Sequence, residues 1–145
     1  MKLSEKAIGV IERIATHLAK QRAKAESGPN KCEYRSRNGN ACAVGCLIPD
    51  ELYTRSLEGS TIDKIFNGRV KEHGGVWSEL SRMFENEDEA ILVLSHAQRY
   101  HDDNHGSIYG YSSALRTFPS KDDNELTQII KERIITKIEM GGHEV

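Results

Sequence analysis

The sequence predicts a mainly α, single-domain bundle of about five helices with one small β-hairpin near residues 32–46. Three observations carry that prediction. Apolar residues recur every three or four positions in the first, middle and last long segments, the spacing of one buried helical face. Glycine and proline cluster between those segments, at "SGPN", "HGG" and Gly141-Gly142. The Asn38-Gly39 pair separates two short stretches that are too short for helices, and Asn-Gly is the strongest local signal for a tight hairpin.

Composition sets the outer limits. At 145 residues the chain fits one domain, spanning 1–145, and buries an adequate core without disulfide or metal staples. Charged residues make up 29% and apolar residues 37%, the balance of a water-soluble globular protein. The longest apolar runs, such as "AILVL", fall well short of the roughly 18 residues a membrane span needs, so no membrane partner is expected. Glu5, Glu12 and Arg13 interrupt "MKLSEKAIGVIER" and argue against a signal peptide. Cytoplasmic residence is the expectation, with the three cysteines reduced. Charge is unevenly spread. Through Cys46 there are nine Lys and Arg against four Asp and Glu (+5), and the remainder holds eleven against eighteen (−7). Such asymmetry can steer an acidic or phosphate-bearing partner, or be neutralised inside the fold.

The elements follow in order. Residues 4–26 read as a helix, with Ile8, Ile11, Ile14, Ala15 and Leu18 on one stripe and Lys6, Arg13, Lys20 and Lys24 opposite. Ser4 is its N-cap, and "SGPN" stops it. The hairpin comes next. A two-residue loop would put Cys32 opposite Gly45 and Cys42 opposite Arg35, on different faces. A three-residue loop would pair Cys32 with Cys46 and bring Cys42 to the same side. Pro49 suits a first helical turn, predicting a short helix to about Leu57 that Gly59 ends. "STIDKIF" opens another at Ser60. Residues 76–85 bring Trp77, Leu80, Met83 and Phe84 to one side. "NEDEAILVLSHAQRYHDDNHG" is a helix capped by Asn86 with Glu89 completing the box, and Gly106 ends it. "SIYGYSSALRTFP" reads as irregular, with at most one helical turn. Ser120 opens the last helix, which runs to about Met140. There Leu126, Ile130, Ile134 and Ile138 recur every fourth residue, flanked by Ile129, Ile135 and Met140. This band is wide enough either for central burial or for a homo-oligomer interface through that helix.

Several constellations bear on chemistry. Cys32, Cys42 and Cys46 could hold zinc with His101 as the fourth ligand, although nine and three intervening residues are not the paired spacing of a usual zinc knuckle. The alternative is that the thiols are small buried hydrophobes. On the middle helix His101 falls with Ala90, Leu94 and Ala97 on the apolar face, the place of a core histidine rather than a catalytic one. No phosphate-binding glycine loop, nucleophilic signature or redox C-x-x-C is present. Lys20 and Lys24 on the first helix and Arg35 and Arg37 on the hairpin, with Tyr34 between the two groups, could grip a phosphate and stack a base, which leaves a nucleic-acid partner open.

One resemblance is visible. Through "CEYR" and "NACAVGCLIPDELY", residues 32–53, followed by Glu58-Gly59 and the later His101-Asp102, the chain resembles a family of small proteins encoded by bacteriophages and prophages. The resemblance brings no reaction with it. It implies a viral accessory protein acting in the host cytoplasm. If the block acts as a unit, it implies a compact corner. Ala43 and Gly45 would permit close backbone approach, Cys42 and Cys46 would lie against the first helix, and Arg35 would bridge to Asp50 or Asp102.

The functional expectation is therefore a non-enzymatic binding module. It would modulate a host protein or sequester a phosphate-bearing small molecule. Tyr34, Arg35, Arg37, Lys20, Lys24, His101 and Asp102 are the candidate contacts, with no cofactor and no catalytic residue. The alternatives are a zinc protein on Cys32, Cys42, Cys46 and His101, structural or hydrolytic, and a nucleic-acid binder through the basic third.

Overall fold

The structure, a computed structural model, describes residues 2–28, 31–66, 74–102 and 110–141. It is mainly helical. The α-helices are α1 (Glu5–Gln21), α2 (Ile62–Phe66), α3 (Gly74–Ser81), α4 (Glu87–Asp102), α5 (Tyr111–Thr117) and α6 (Asp123–Gly141). Two very short segments, β1 (Glu26–Gly28) and β2 (Lys31–Cys32), pair antiparallel. None of the helices is long and apolar enough to cross a membrane, among the described residues.

α1 and α6 form the spine and make the most extensive helix–helix contact. Their stripes meet as the sequence implies. Ile11, Ile14 and Leu18 of α1 and Leu126, Ile130, Ile134 and Ile138 of α6 are all buried. At about 25 cal/mol per Å² of apolar surface removed from water, each such side chain contributes roughly 1.5–3 kcal/mol. The apolar band of α6 therefore points into the core, while Met140, at 62% exposure, stands outside it. α4 lies across the spine, with Ala90, Val93, Leu94 and Ala97 buried.

The N-termini of α1 and α4 are joined by one carboxylate. Ser4 caps α1 by accepting the Ala7 N–H (3.1 Å), and its own N–H and hydroxyl donate to Glu89 (3.0 and 2.6 Å). Asn86 caps α4 by accepting the Glu89 N–H (2.9 Å), and Glu89 also accepts from the Glu85 N–H (3.1 Å). A negative charge shared between two helix N-termini is favourable with both dipoles. Burial alone would raise the Glu89 pKa, but the hydrogen bonds from Ser4 and Glu85 outweigh it and hold the carboxyl below its ordinary value.

Several boundaries differ from the sequence expectation. α1 stops at Gln21, five residues early, because Arg22 takes a left-handed conformation (φ 54°). A distant side chain secures that stop: the Tyr111 hydroxyl donates to the Leu18 carbonyl (2.7 Å) and accepts the Ala23 N–H (3.0 Å). Pro49 precedes two single turns at Asp50–Leu52 and Arg55–Leu57 rather than one helix. α3 begins and ends earlier than residues 76–85. The stretch expected to be irregular contains α5, and α6 opens after Asp122, whose carboxylate accepts the Glu125 N–H (2.8 Å), rather than at Ser120. The proposed stop of α4 at Gly106 lies outside the described residues.

The hairpin near residues 32–46 is not formed. Neither predicted register occurs: that stretch carries a single isolated bridge, Arg35 to Ala41, and Cys32 pairs with Glu26 instead. Side chains have taken the groups a ladder would need. Gln21 of α1 accepts the Ala41 N–H and donates to the Ala41 carbonyl (both 2.9 Å), to which His17 Nε2 also donates (2.9 Å). Glu58 accepts the N–H groups of Tyr34 (2.8 Å) and Arg35 (3.1 Å). What remains is a corner. Asn38-Gly39 still turns the chain, with Gly39 at φ 96°, and Cys42 N–H donates to the Tyr34 carbonyl (2.9 Å).

Candidate functional site

The corner answers what the cysteine-rich block does locally. Gly45 sits so close to the Tyr34 carbonyl that a Cβ there would lie 1.9 Å from its oxygen. Only glycine permits that approach. Cys42 is fully buried, and its sulfur accepts the Gly45 N–H (3.1 Å). The Cys46 thiol donates to the Ala43 carbonyl (3.1 Å). Burial pushes the Cys42 thiol pKa up strongly and that of Cys46 up to about 12. Both are packing groups. Arg35 braces the outside: it pairs with Asp50 (2.7 Å), donates to the Ile48 carbonyl and lies over the Tyr53 ring at 4.9 Å. Of the two bridges implied for Arg35, the one to Asp50 is present.

Cys32 lies apart from the other two thiols, in a group with His101 and Asp102 whose candidate ligand atoms all fall within 4.8 Å of one another. The hydrogen bonds of that group fix its chemistry. Ala25 N–H, which can only donate, points at His101 Nε2 (3.1 Å), so that nitrogen is an acceptor. The ring proton is then on Nδ1, which donates to Asp102 Oδ1 (2.8 Å). Gln98 Nε2 donates to the same oxygen (3.0 Å), and the Cys32 thiol hydrogen-bonds to the Asp102 side chain. Burial, then the Asp102 charge and its hydrogen bond, push Cys32 up to about 12, so it stays a thiol. His101 is wholly enclosed and stacks on Tyr111 with ring centroids 5.8 Å apart.

Cys32 and Asp102 form part of the wall of a cleft of about 430 Å³. Its lining comes from three regions: Cys32, Glu33 and Tyr34; the turn from Gly59 to Ile62; and Ser95, Gln98, Arg99 and Asp102 of α4. Gly59, at φ 86°, lets the chain reverse just after Glu58 has bound the Tyr34 and Arg35 amides. The turn and the strand are therefore held together by one carboxylate. Tyr34 is buried, and its hydroxyl donates to the Ser60 carbonyl, closing the same junction.

No family model, curated protein or solved structure matches the chain.

The candidate contacts separate. Tyr34 and Asp102 line the cleft, and Lys24 reaches its edge, with Nζ 3.5 Å from the Asp102 carbonyl. His101 stands behind the wall as a support. Arg35 is committed to the corner, Arg37 lies on the exposed turn, and Lys20 lies on the exposed side of α1. The basic residues thus do not converge, and the buried Tyr34 ring offers no stacking platform for a base. Sequence reasoning missed Ser60, Thr61, Ser95, Gln98 and Arg99. A signal for the last three existed: Ser95, Gln98, Arg99 and Asp102 recur at helical spacing along a polar side of α4, away from the stripe of Ala90, Leu94 and Ala97.

Proposed function

We propose that this chain is a non-enzymatic binding module that takes a small polar molecule in the cleft between β2, the Gly59–Ile62 turn and α4. The observation that carries this reading is the commitment of both His101 nitrogens, one to the Ala25 amide and one to Asp102. A cysteine–histidine nucleophile needs an imidazole nitrogen free to take the thiol proton and a depressed thiol pKa. Here the nitrogens are occupied and the Cys32 thiol is pushed the other way. The same bonds make Asp102 and Cys32 a fixed, pre-organised wall for a ligand. The resemblance of residues 32–53 to a phage-encoded family supports an accessory role in the host cytoplasm, sequestering a host metabolite or modulating a host protein that carries such a group.

The experiment is a metabolite screen by native mass spectrometry on the full chain and on Ser95→Phe, which fills the cleft from its half-buried α4 wall. A retained small molecule that Ser95→Phe abolishes without lowering the melting temperature supports the reading. Retention unchanged by the substitution overturns it.

A second reading keeps zinc, because Cys32, His101 and Asp102 are close enough to converge on an ion. It ranks below the first for a physical reason. Zinc on His101 Nδ1 would move the ring proton to Nε2, directly against the Ala25 N–H, leaving two donors face to face in a buried position. Elemental analysis of protein purified without chelator decides it: stoichiometric zinc that Cys32→Ser removes would favour the metal.

A further inference from the structure

The hydrogen bonds around the cleft leave a specific surplus. Asp102 Oδ1 already receives His101 and Gln98, and the side chain also receives the Cys32 thiol. Glu33 is held by Arg55 (2.6 Å) through Oε2, while its Oε1 is buried, closed off from the cleft, and without a hydrogen-bond partner among the described residues. Gln98 Oε1 accepts the Val44 N–H (3.2 Å), so Gln98 is spent at both ends. The acceptors of the lining are thus largely used within the protein. The donors are not. Arg99 uses Nε on the Ser95 carbonyl of its own helix (3.4 Å), and its two terminal nitrogens have no partner among the described residues. The hydroxyl of Thr61 accepts the Lys64 N–H (3.3 Å), which leaves its proton to donate, and those of Ser60 and Ser95 make no hydrogen bond among the described residues. The charged residues of the lining are Arg99, Glu33 and Asp102, and both carboxylates are engaged within the protein, Glu33 by Arg55 and Asp102 by His101 and Gln98.

We infer that the cleft binds the anionic end of its ligand, a phosphate monoester or a carboxylate, with the Arg99 guanidinium as the anchor and the Ser60, Thr61 and Ser95 hydroxyls around it. A planar guanidinium offers two parallel N–H groups to such an oxyanion, and hydrogen bonds of this charged kind are about twice as strong as neutral ones. The inference rests on the cleft being a ligand site, and it names the ligand's chemistry. The anchor differs from the residues the sequence suggested, since Arg35 and Arg37 take no part.

The test is a titration of the ¹⁵N-labelled full chain with adenosine 5′-monophosphate, succinate and uncharged adenosine, following amide shifts of residues 32–34, 59–62 and 95–102. Shifts with the monophosphate or succinate, at least tenfold weaker in Arg99→Ala and partly restored in Arg99→Lys, are the expected result. The two anions separate a phosphate from a carboxylate site. Arg99 is exposed, so both variants should fold, as circular dichroism would verify. Adenosine binding the cleft as well as the monophosphate, indifferent to Arg99→Ala, would overturn the inference while leaving the cleft a ligand site. No shift at the cleft with any of the three probes would overturn both.

Discussion

Replacing Gly45 by alanine gives the sharpest test of the corner. An added Cβ would meet the Tyr34 carbonyl oxygen at 1.9 Å and its carbon at 2.7 Å, well inside any tolerable contact. Both atoms are backbone, so no side chain can swing away. Relief requires the backbone at Tyr34 and the Cys42–Gly45 turn to separate by about 1.5 Å, the distance to an ordinary close contact. That breaks the Cys42 N–H to Tyr34 carbonyl bond (2.9 Å). It also strains the two amides that Glu58 holds on the same strand. A buried amide left without a partner costs about 1–3 kcal/mol, and overpacking adds about 1–3 kcal/mol. The expected loss is therefore roughly 3–5 kcal/mol in urea denaturation. Gly9→Ala is the matched control: nothing lies within 4 Å of a Cβ there, and it sits inside α1. Alanine at that position should stabilise by about 0.5–1 kcal/mol through helix propensity. If Gly45→Ala unfolds within 1 kcal/mol of the parent, the close approach is absent and the corner has been misread.

Further outcomes follow from the same bonds. Glu58→Ala removes the acceptor of the Tyr34 and Arg35 amides and of the Tyr53 hydroxyl (2.6 Å), and should cost about 2–3 kcal/mol in chemical denaturation; a neutral effect would contradict its role as the tie between turn and strand. Glu89 supplies a pH dependence. Its folded pKa lies below the ordinary 4.5, so the unfolded chain takes up the proton first on acidification. Its stabilisation is complete above 4.5 and fades as pH falls through the folded value. Melting temperatures measured from pH 7 down to 3 should fall less steeply for Glu89→Gln than for the parent, and parallel curves would refute the assignment. Cys32, pushed up to about 12, should react with iodoacetamide at pH 8 far more slowly than a free thiol. Asp102→Asn should quicken that reaction by removing the negative charge beside the sulfur. Peptide mapping after a timed pulse reads both rates, and rapid alkylation of the parent would reopen a nucleophilic role.

The parts legible in the sequence are those encoded within one element. α1, α4 and α6 show in the spacing of their buried residues, because a helix buries every third or fourth position whatever surrounds it. The Ser4 and Asn86 caps show for the same reason: the capping side chain and its amide are three residues apart. What escaped depends on distant partners. The stop of α1 is set by Tyr111, about ninety positions away. The hairpin failed because Gln21 and Glu58, on neither strand, took the amides a ladder would have used. The cysteines looked like one cluster only along the chain. Cys42 and Cys46 turned into the corner, while Cys32 met His101 and Asp102, almost seventy residues on. The cleft has three walls from three regions, and only its α4 wall carries a pattern readable on its own.

The Cys32–His101–Asp102 wall depends on which nitrogen of His101 carries the proton. A long-range ¹H–¹⁵N correlation spectrum of the histidine side chains, on protein as purified, reads it directly. The bonds from Ala25 and to Asp102 require a neutral ring protonated at Nδ1, with Nε2 shifted as a hydrogen-bond acceptor. A ring protonated at Nε2, or a nitrogen shifted by a coordinated metal that chelator reverses, would contradict the account.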